Sequence, residues 1–334
     1  MTKNILVTGG AGYIGSHTCK TLAHHGFIPI TYDNLSNGHA YAVQWGPLIH
    51  ADLRDTDTLH HTLTTYRPLA VLHFASDAYV VESTQNPGKY YSNNVVSTLN
   101  LLQAMHTQHI PNLIFSSSCA TYGQPATTPI SETQLQHPIN PYGRTKLICE
   151  QMIADFHQAH QLNYVSLRYF NAAGADLETQ IGEDHTPETH LIPNLIHAIL
   201  FNKPFHIYGT DFPTPDGTAI RDYTHVQDLA NAHLLALNHL LNNGPSLALN
   251  LGTGTGHSVL QILRTIERYF DKSLIPHNHP RRPGEPAILT ADPALAHRIL
   301  GWAPQHSDLE TLIATASRWF EKRRNASNTQ TAVN

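Results

Sequence analysis

Short apolar runs rich in β-branched residues alternate with longer amphipathic stretches through the first half of the chain. NILVT (4–8), FIPITYD (27–33), LAVLHFA (69–75), NLIFSS (112–117) and NYVSLRY (163–169) read as strands. Between them apolar residues recur at helical spacing, as in NNVVSTLNLLQAMHTQ (93–108) and KLICEQMIADFHQAHQ (146–161). This alternation predicts βαβ units and an α/β fold built on a doubly wound parallel sheet. Ligands of such sheets sit beyond the carboxyl ends of the strands. After about residue 175 turn formers interrupt the rhythm, and helical patterns follow at 225–243 and 257–270. Residues 1–175 are therefore expected to form the nucleotide-binding layer and 176–324 a smaller α/β lobe over its carboxyl edge. The tail from Asn325, NASNTQTAVN, lacks apolar periodicity and is expected to be disordered.

The turn after the first strand, VTGGAGYIGSH, carries Gly9, Gly12 and Gly15 at Gly-x-x-Gly-x-x-Gly spacing and opens a helix. Glycine lets the backbone bend sharply and approach a pyrophosphate, which rests on the free N–H groups of the helix start. Eighteen residues beyond Gly15, the second strand ends at Asp33. A carboxylate there accepts from the adenosine ribose hydroxyls and repels a 2′-phosphate, which selects NAD over NADP. Asp52 follows a further apolar segment. It either caps the next helix or meets the adenine amino group. Together these features predict a Rossmann-type NAD site.

NPYGRTK places Tyr142 and Lys146 at i and i+4, and Pro141 suits a helix's first turn, so both side chains should share one face. A phenol is a poor base at neutral pH, since its reference pKa is ~10. Lowering it by about three units takes ~4 kcal/mol. One cation at ~5 Å supplies roughly 3 kcal/mol at an effective dielectric near 20. Lys146 and a positively charged nicotinamide together are expected to suffice.

Bulk properties narrow the class further. A formal net charge of −5 argues against a nucleic-acid partner that needs a broad basic face. Cys19, Cys119 and Cys149 are dispersed, without CxxC spacing, which fits a reduced cytoplasmic compartment. NILVT begins at Asn4, leaving no room for a signal peptide, and no apolar run reaches membrane-spanning length. The 25 histidines raise the question of a metal. Neighbouring pairs such as His24 and His25, His60 and His61, and His277 and His279 lack ligand spacing. No metal site is expected, and the histidines are read as solvated polar positions.

The glycine turn and the YxxxK pair resemble the extended short-chain dehydrogenase/reductases. More narrowly, VTGGAGYIGSH, YDNLSNG, HFAS, YYSNNV, FSSSCATYG, NPYGRTK, RYFNAAGA, RDYTHVQDLA, NLGTGTGHSV and RRPGEPAILTAD resemble the nucleotide-sugar 4-epimerases of that family. They stand in the same order, from Val7 to Asp292. The resemblance implies a tightly held NAD, a UDP-hexose substrate, and exchange of UDP-glucose and UDP-galactose through a transient 4-keto sugar. It makes Tyr142 the base, Lys146 its partner and Ser118 a hydrogen-bond relay. Cofactor contacts are implied at Gly9, Gly12, Tyr13, Ile14, Gly15, Asp33, Asn34, Asn37, Asp52 and Leu53. The same holds for Phe74, Ala75, Asn93, Ser116, Tyr142, Lys146 and Phe170. Substrate contacts are implied at Ser118, Tyr142, Asn171, His190, Leu191, Tyr208, Arg221, Arg282, Glu285 and Leu289. Helices 93–108 and 146–161 are implied to form a homodimer contact.

The stretch FSSSCATYG separates reaction types within the family. Dehydratase relatives carry an Asp-Glu pair where this chain has Cys119 and Ala120, and water elimination needs that acid and base. Oxidation at C4 can then be followed only by reduction at C4. Departures from the family pattern are Ala78, where some members have lysine, His190, often asparagine, and Ala120, often threonine. Leu289 stands where restrictive members carry tyrosine beside the sugar's C2 substituent, which implies room for an N-acetyl group. Two other readings remain: an epimerase of another UDP-sugar, such as UDP-arabinose or a uronate, and an NAD-sensing protein without catalysis.

Overall fold

The computed structural model describes residues 3–282 and 285–331. Seven parallel strands form its central sheet: β1 (Asn4–Thr8), β2 (Ile28–Asp33), β3 (Leu48–His50), β4 (Ala70–His73), β5 (Asn112–Ser118), β6 (Asn163–Tyr169) and β10 (Leu247–Leu251). Their order is β10-β6-β5-β4-β1-β2-β3. The five strands legible in the sequence match to within two residues at either end. Strand side chains alternate between faces. Ile5, Val7 and Ile114 accordingly join one core, while Leu6, Leu113 and Phe115 join the other. Both faces are covered, so each inner strand is a continuous apolar run.

On one face lie α1 (Tyr13–His24) and α8 (Val226–Leu241), which supply Cys19, Leu22, Leu229 and Leu237 to that core. On the other lie α2 (Thr56–Tyr66), α5 (Ser97–Thr107) and α6 (Pro141–His160), supplying Leu59, Leu101 and Ile153. Asn140 caps α6 by accepting from Gly143 N at 2.8 Å, and Pro141 follows at the first helical position. Two short helices, α3 (Val80–Gln85) and α4 (Pro87–Tyr90), and a π-helical turn at Tyr91–Val96 lead into α5. The helix expected from residue 93 thus starts with a wider turn.

The second lobe is built from β7 (Asn171–Ala173), β8 (His206–Tyr208), β9 (Ile220–His225), β11 (Gly256–Ser258), β12 (His277–His279) and β13 (Ile288–Leu289). Its helices are α7 (Leu191–Phe201), α9 (Val259–Phe270) and α11 (Leu309–Thr331), whose apolar faces share a third core. The short α10 (Ala294–Leu300) returns to the first core through Ala296. The two parts interleave along the chain, since α8, β10 and α10 all come from beyond residue 175 and pack with the central sheet.

Two expectations differ from the structure. The helix α11 continues through Asn325 to Thr331, because a helix already nucleated extends on backbone hydrogen bonds alone. Residues 332–334 of the expected tail lie outside the described residues. The histidines are not all solvated: His17, His73, His225 and His233 are fully buried. Each of the four has a ring nitrogen bonded to a backbone or hydroxyl group, which makes a neutral imidazole tolerable in a core.

Candidate active site

The glycine turn is locked by backbone proximity. Gly9 has φ +72°, and a Cβ on it would stand 2.6 Å from Ala75 N. A Cβ on Gly15 would stand 2.2 Å from Gly9 O. Gly12 starts α1 without a side-chain cap, so the first N–H groups of the helix point outward unsatisfied. Tyr13 and Ile14 form the first turn, and the Tyr13 hydroxyl donates to Gly174 O at 2.6 Å. Gly15→Ala is expected to lose most of the cofactor retained on purification. The released-nucleotide absorbance of heat-denatured protein measures this, and a wild-type yield would refute the steric argument.

Asp33 ends β2 and accepts from Ala11 N at 2.9 Å and Leu35 N at 2.8 Å. Burial pushes its carboxyl upward, and the two N–H donors oppose that shift. Asp52 does not cap α2; that role falls to Asp55, which accepts from Thr58 N. Instead Asp52 is gripped by Arg54 at 2.8 and 2.7 Å and by Asn34 Nδ2 at 2.8 Å, which holds it well below the usual carboxylate range. Leu53 beside it is buried. Phe74 and Ala75 follow β4, both donating to Thr8 O. Asn37 and Asn93 converge on Asp77, at 3.5 and 3.0 Å. Buried Asp77 was not singled out from sequence. The amides of Asn37 and Asn93 on its carboxylate come from 40 and 16 residues away, so no local spacing marks it.

At the carboxyl end of β5 the pleat sends Ser116 and Ser118 to one side and Ser117 to the other. Ser117 bonds Glu150, which also pairs with Arg168 at 2.5 Å. Lys146 Nζ donates to Ser116 O at 2.7 Å, and it lies 5.0 Å from the Phe115 ring centroid and 6.0 Å from that of Tyr142. The Ser118 hydroxyl hydrogen-bonds the Tyr142 phenol and accepts from Ala120 N at 3.1 Å. The expected face-sharing of Tyr142 and Lys146 is thus present. The expected depression of the phenol depends on the nicotinamide's charge as well as on Lys146, and the protein's own groups act the other way. Burial drives Tyr142 up to about 12, only partly opposed by Ser118, and drives Lys146 down to about 8. Removal from water disfavours the charged form of each group, the phenolate of Tyr142 and the ammonium of Lys146.

Phe170 joins β6 to β7, and Asn171 on β7 donates to Asp222 O at 2.9 Å. Arg221 on β9 donates to Glu285 at 2.9 Å, so two expected ligand anchors hold one another. Leu289 on β13 sits in register with Arg221. The Arg282 guanidinium lies 4.3 Å over the Tyr208 ring. Pro283 and Gly284 of the RRPGE motif lie outside the described residues. His190 caps α7, Leu191 begins it, and His190 Nδ1 bonds Glu183. That carboxylate raises His190 to about 9 against the opposing effect of burial. Asp222, next to Arg221, was also missed from sequence. Its buried carboxylate accepts from Thr253, Gly254 and Ala291 and ties β9 to the loops on either side.

An NAD-fitting glycine turn, an acidic strand end and a Ser-Tyr-Lys group on adjoining elements define an NAD-using enzyme of the epimerase and dehydratase type. The family profile described as "NAD dependent epimerase/dehydratase family" matches residues 5–252, and the chain belongs to that family. A UDP-glucose 4-epimerase of Rhizobium meliloti (strain 1021) is 50% identical over 321 residues, covering 96% of this chain and 98% of that one. The crystal structure of UDP-glucose 4-epimerase from Brucella ovis in complex with NAD superposes with a TM-score of 0.94 at 52% identity. It covers 96% of this chain and 98% of its own. The UDP-Glc/GlcNAc 4-epimerase of Campylobacter jejuni superposes at 0.84 with 36% identity, covering 96% and 99%. Among the described residues no helix is long and apolar enough to cross a membrane.

Proposed function

We propose that this chain is a UDP-glucose 4-epimerase that interconverts UDP-glucose and UDP-galactose with NAD held throughout the cycle. The observation that carries this reading is the carboxylate-free strand end at Ser116–Ala120, with Tyr142 and Lys146 poised over it. Likeness to the Rhizobium meliloti and Brucella ovis proteins supports it.

The glycine turn, Asp33, Asn34 and the Phe74–Ala75 segment are suited to hold the dinucleotide, since they offer free N–H groups, a ribose acceptor and close backbone approach. NAD held by these residues would supply a reversible hydride acceptor for C4 and a positive charge to the site. Tyr142 removes the 4-hydroxyl proton and later returns it. Ser118, held by Ala120 N–H, keeps the phenol oriented and relays the proton. Bringing a phenol from about 12 to near 7 requires about 7 kcal/mol. A charged Lys146, 6.0 Å from the Tyr142 ring centroid, gives roughly 3 kcal/mol of it at an effective dielectric near 20, so the larger part has to come from the cofactor's charge. Without an acid at residues 119 and 120 the keto sugar has no route to lose water.

On the substrate side, Arg221 would exchange its Glu285 partner for diphosphate oxygens, freeing that carboxylate for the ribose. Arg282 and Tyr208 form a flat cationic platform suited to a uracil ring. Proton NMR of the purified protein with UDP-galactose and no added NAD tests the reading. New gluco-configured anomeric signals are expected; their absence, with or without NAD, would refute it.

Leu289, in register with Arg221, faces the same region with a side chain smaller than tyrosine. This supports turnover of UDP-N-acetylglucosamine as well, as in the Campylobacter jejuni relative's dual name. Leu289→Tyr is expected to lower kcat/KM for the N-acetylated sugar at least tenfold while sparing UDP-galactose. Equal losses for both sugars would overturn the assignment. A homodimer through α5 and α6, in the cytoplasm, completes the proposal; light scattering at micromolar protein gives the mass.

A further inference from the structure

The loop between β7 and α7 carries four ligand-type side chains in the order Glu183, His185, Glu188, His190. Folding brings one donor atom from each within 4.8 Å of all the others. His185 Nδ1 lies 3.2 Å from Glu183 Oε1 and 3.8 Å from Glu188 Oε2. His190 Nδ1 lies 3.6 Å from Glu188 Oε1 and bonds Glu183 Oε1. Ligands at about 2.05 Å from a tetrahedral zinc stand roughly 3.3 Å apart; the pairs at 3.2, 3.6 and 3.8 Å are near that spacing, while the Glu183–His190 pair would have to open to admit the ion.

Two features argue against a self-sufficient hydrogen-bond network. The carboxylate side chains of Glu183 and Glu188 are only 4% and 6% exposed, so two anions share a space largely without water. Glu188 Oε2, aimed into the cluster, is buried without a hydrogen-bond partner. An uncompensated carboxylate oxygen in that position is costly. A cavity of about 290 Å³, lined by His185, Glu188 and His197 among others, opens beside the cluster, and the half-exposed His190 leaves a second approach.

We propose that Glu183, His185, Glu188 and His190 bind one divalent ion of the zinc class. With the His190 proton displaced by the ion, two carboxylates and two imidazoles around a dication give a neutral, closed four-ligand shell, which is the pattern of a structural rather than a catalytic metal. The ion fixes the start of α7, where His190 is the cap and Leu191 the first residue. His185 is already oriented for this, held edge-on between the Tyr79 and His190 rings at 5.8 and 5.5 Å. The spacing Glu-x-His-x-x-Glu-x-His matches no common ligand motif, and the donors meet only because the loop folds back on itself.

The test is Co²⁺ titration of full-length protein after chelator treatment, followed by the visible absorption of four-coordinate cobalt. One saturable equivalent, displaced by Zn²⁺, is expected. Glu188→Gln, which keeps shape and removes a charge, and His185→Asn should each weaken binding at least tenfold. Circular dichroism checks that both variants fold. His279→Ala, altering the separate exposed pair in which His206 Nδ1 lies 2.8 Å from His279 Nε2, should leave the titration unchanged. No four-coordinate band would overturn the proposal. So would a band lost in His279→Ala, or one unchanged in both loop variants.

Discussion

Tyr142→Phe is expected to lower kcat for UDP-galactose by two to four orders of magnitude, the range for losing a positioned acid–base group. A thousandfold loss corresponds to about 4 kcal/mol of transition-state stabilisation. The phenylalanine ring keeps the packing volume beside Lys146, so the fold and the retained cofactor should survive. Melting temperature and released NAD are therefore expected to stay near wild type. The outcome that counts against the mechanism is a variant within tenfold of wild type. Such a result would move the base elsewhere, and Ser118 would be the next group to remove.

The same residues show how far a sequence reaches. The strands of the central sheet were legible because both faces are buried, which leaves uninterrupted apolar runs bounded by turn formers. β3 is three residues long with no buried position, and β10 lies among helical patterns far along the chain, so neither announces itself locally. Tyr142, Lys146 and the glycine turn were legible because their chemistry depends on short spacings. The protonation balance of Tyr142 and Lys146 was not, since desolvation is a property of everything packed around them. Asp77, Asp222 and Glu188 escaped for a related reason. A buried carboxylate is recognised by the donors that surround it, and those come from distant segments. The histidine count posed a question that only burial could answer.

That burial is expected to make the protein acid-labile within a definite pH window. Burial lowers His17 and His233 to about 4 and His73 and His225 to about 3. For His225 the structure fixes the neutral form, since Nδ1 accepts from Gln227 N at 3.0 Å and protonation would set two N–H groups against each other. In the unfolded chain each titrates near 6.5. Their folded values are depressed, so the stability they contribute is complete above about pH 6.5. It is lost as pH falls toward 4, where the unfolded state binds protons that the native state refuses. Around pH 5 four such groups give a slope of roughly 5 kcal/mol per pH unit, four protons at about 1.4 each. Buried Asp33 and Asp222, pushed upward by desolvation, act in the opposite sense at the lower end of that range. They soften the slope there. Against a typical net stability of 5–15 kcal/mol, the histidine effect alone is large enough to unfold the chain. Thermal melts from pH 8 to 4 should show a midpoint that rises modestly toward about pH 6.5, as the raised His190 favours the folded state, and a steep fall below it. A midpoint that holds level to pH 5 would mean that these imidazoles take up protons in the folded state, and the closed packing around them would then have to be wrong.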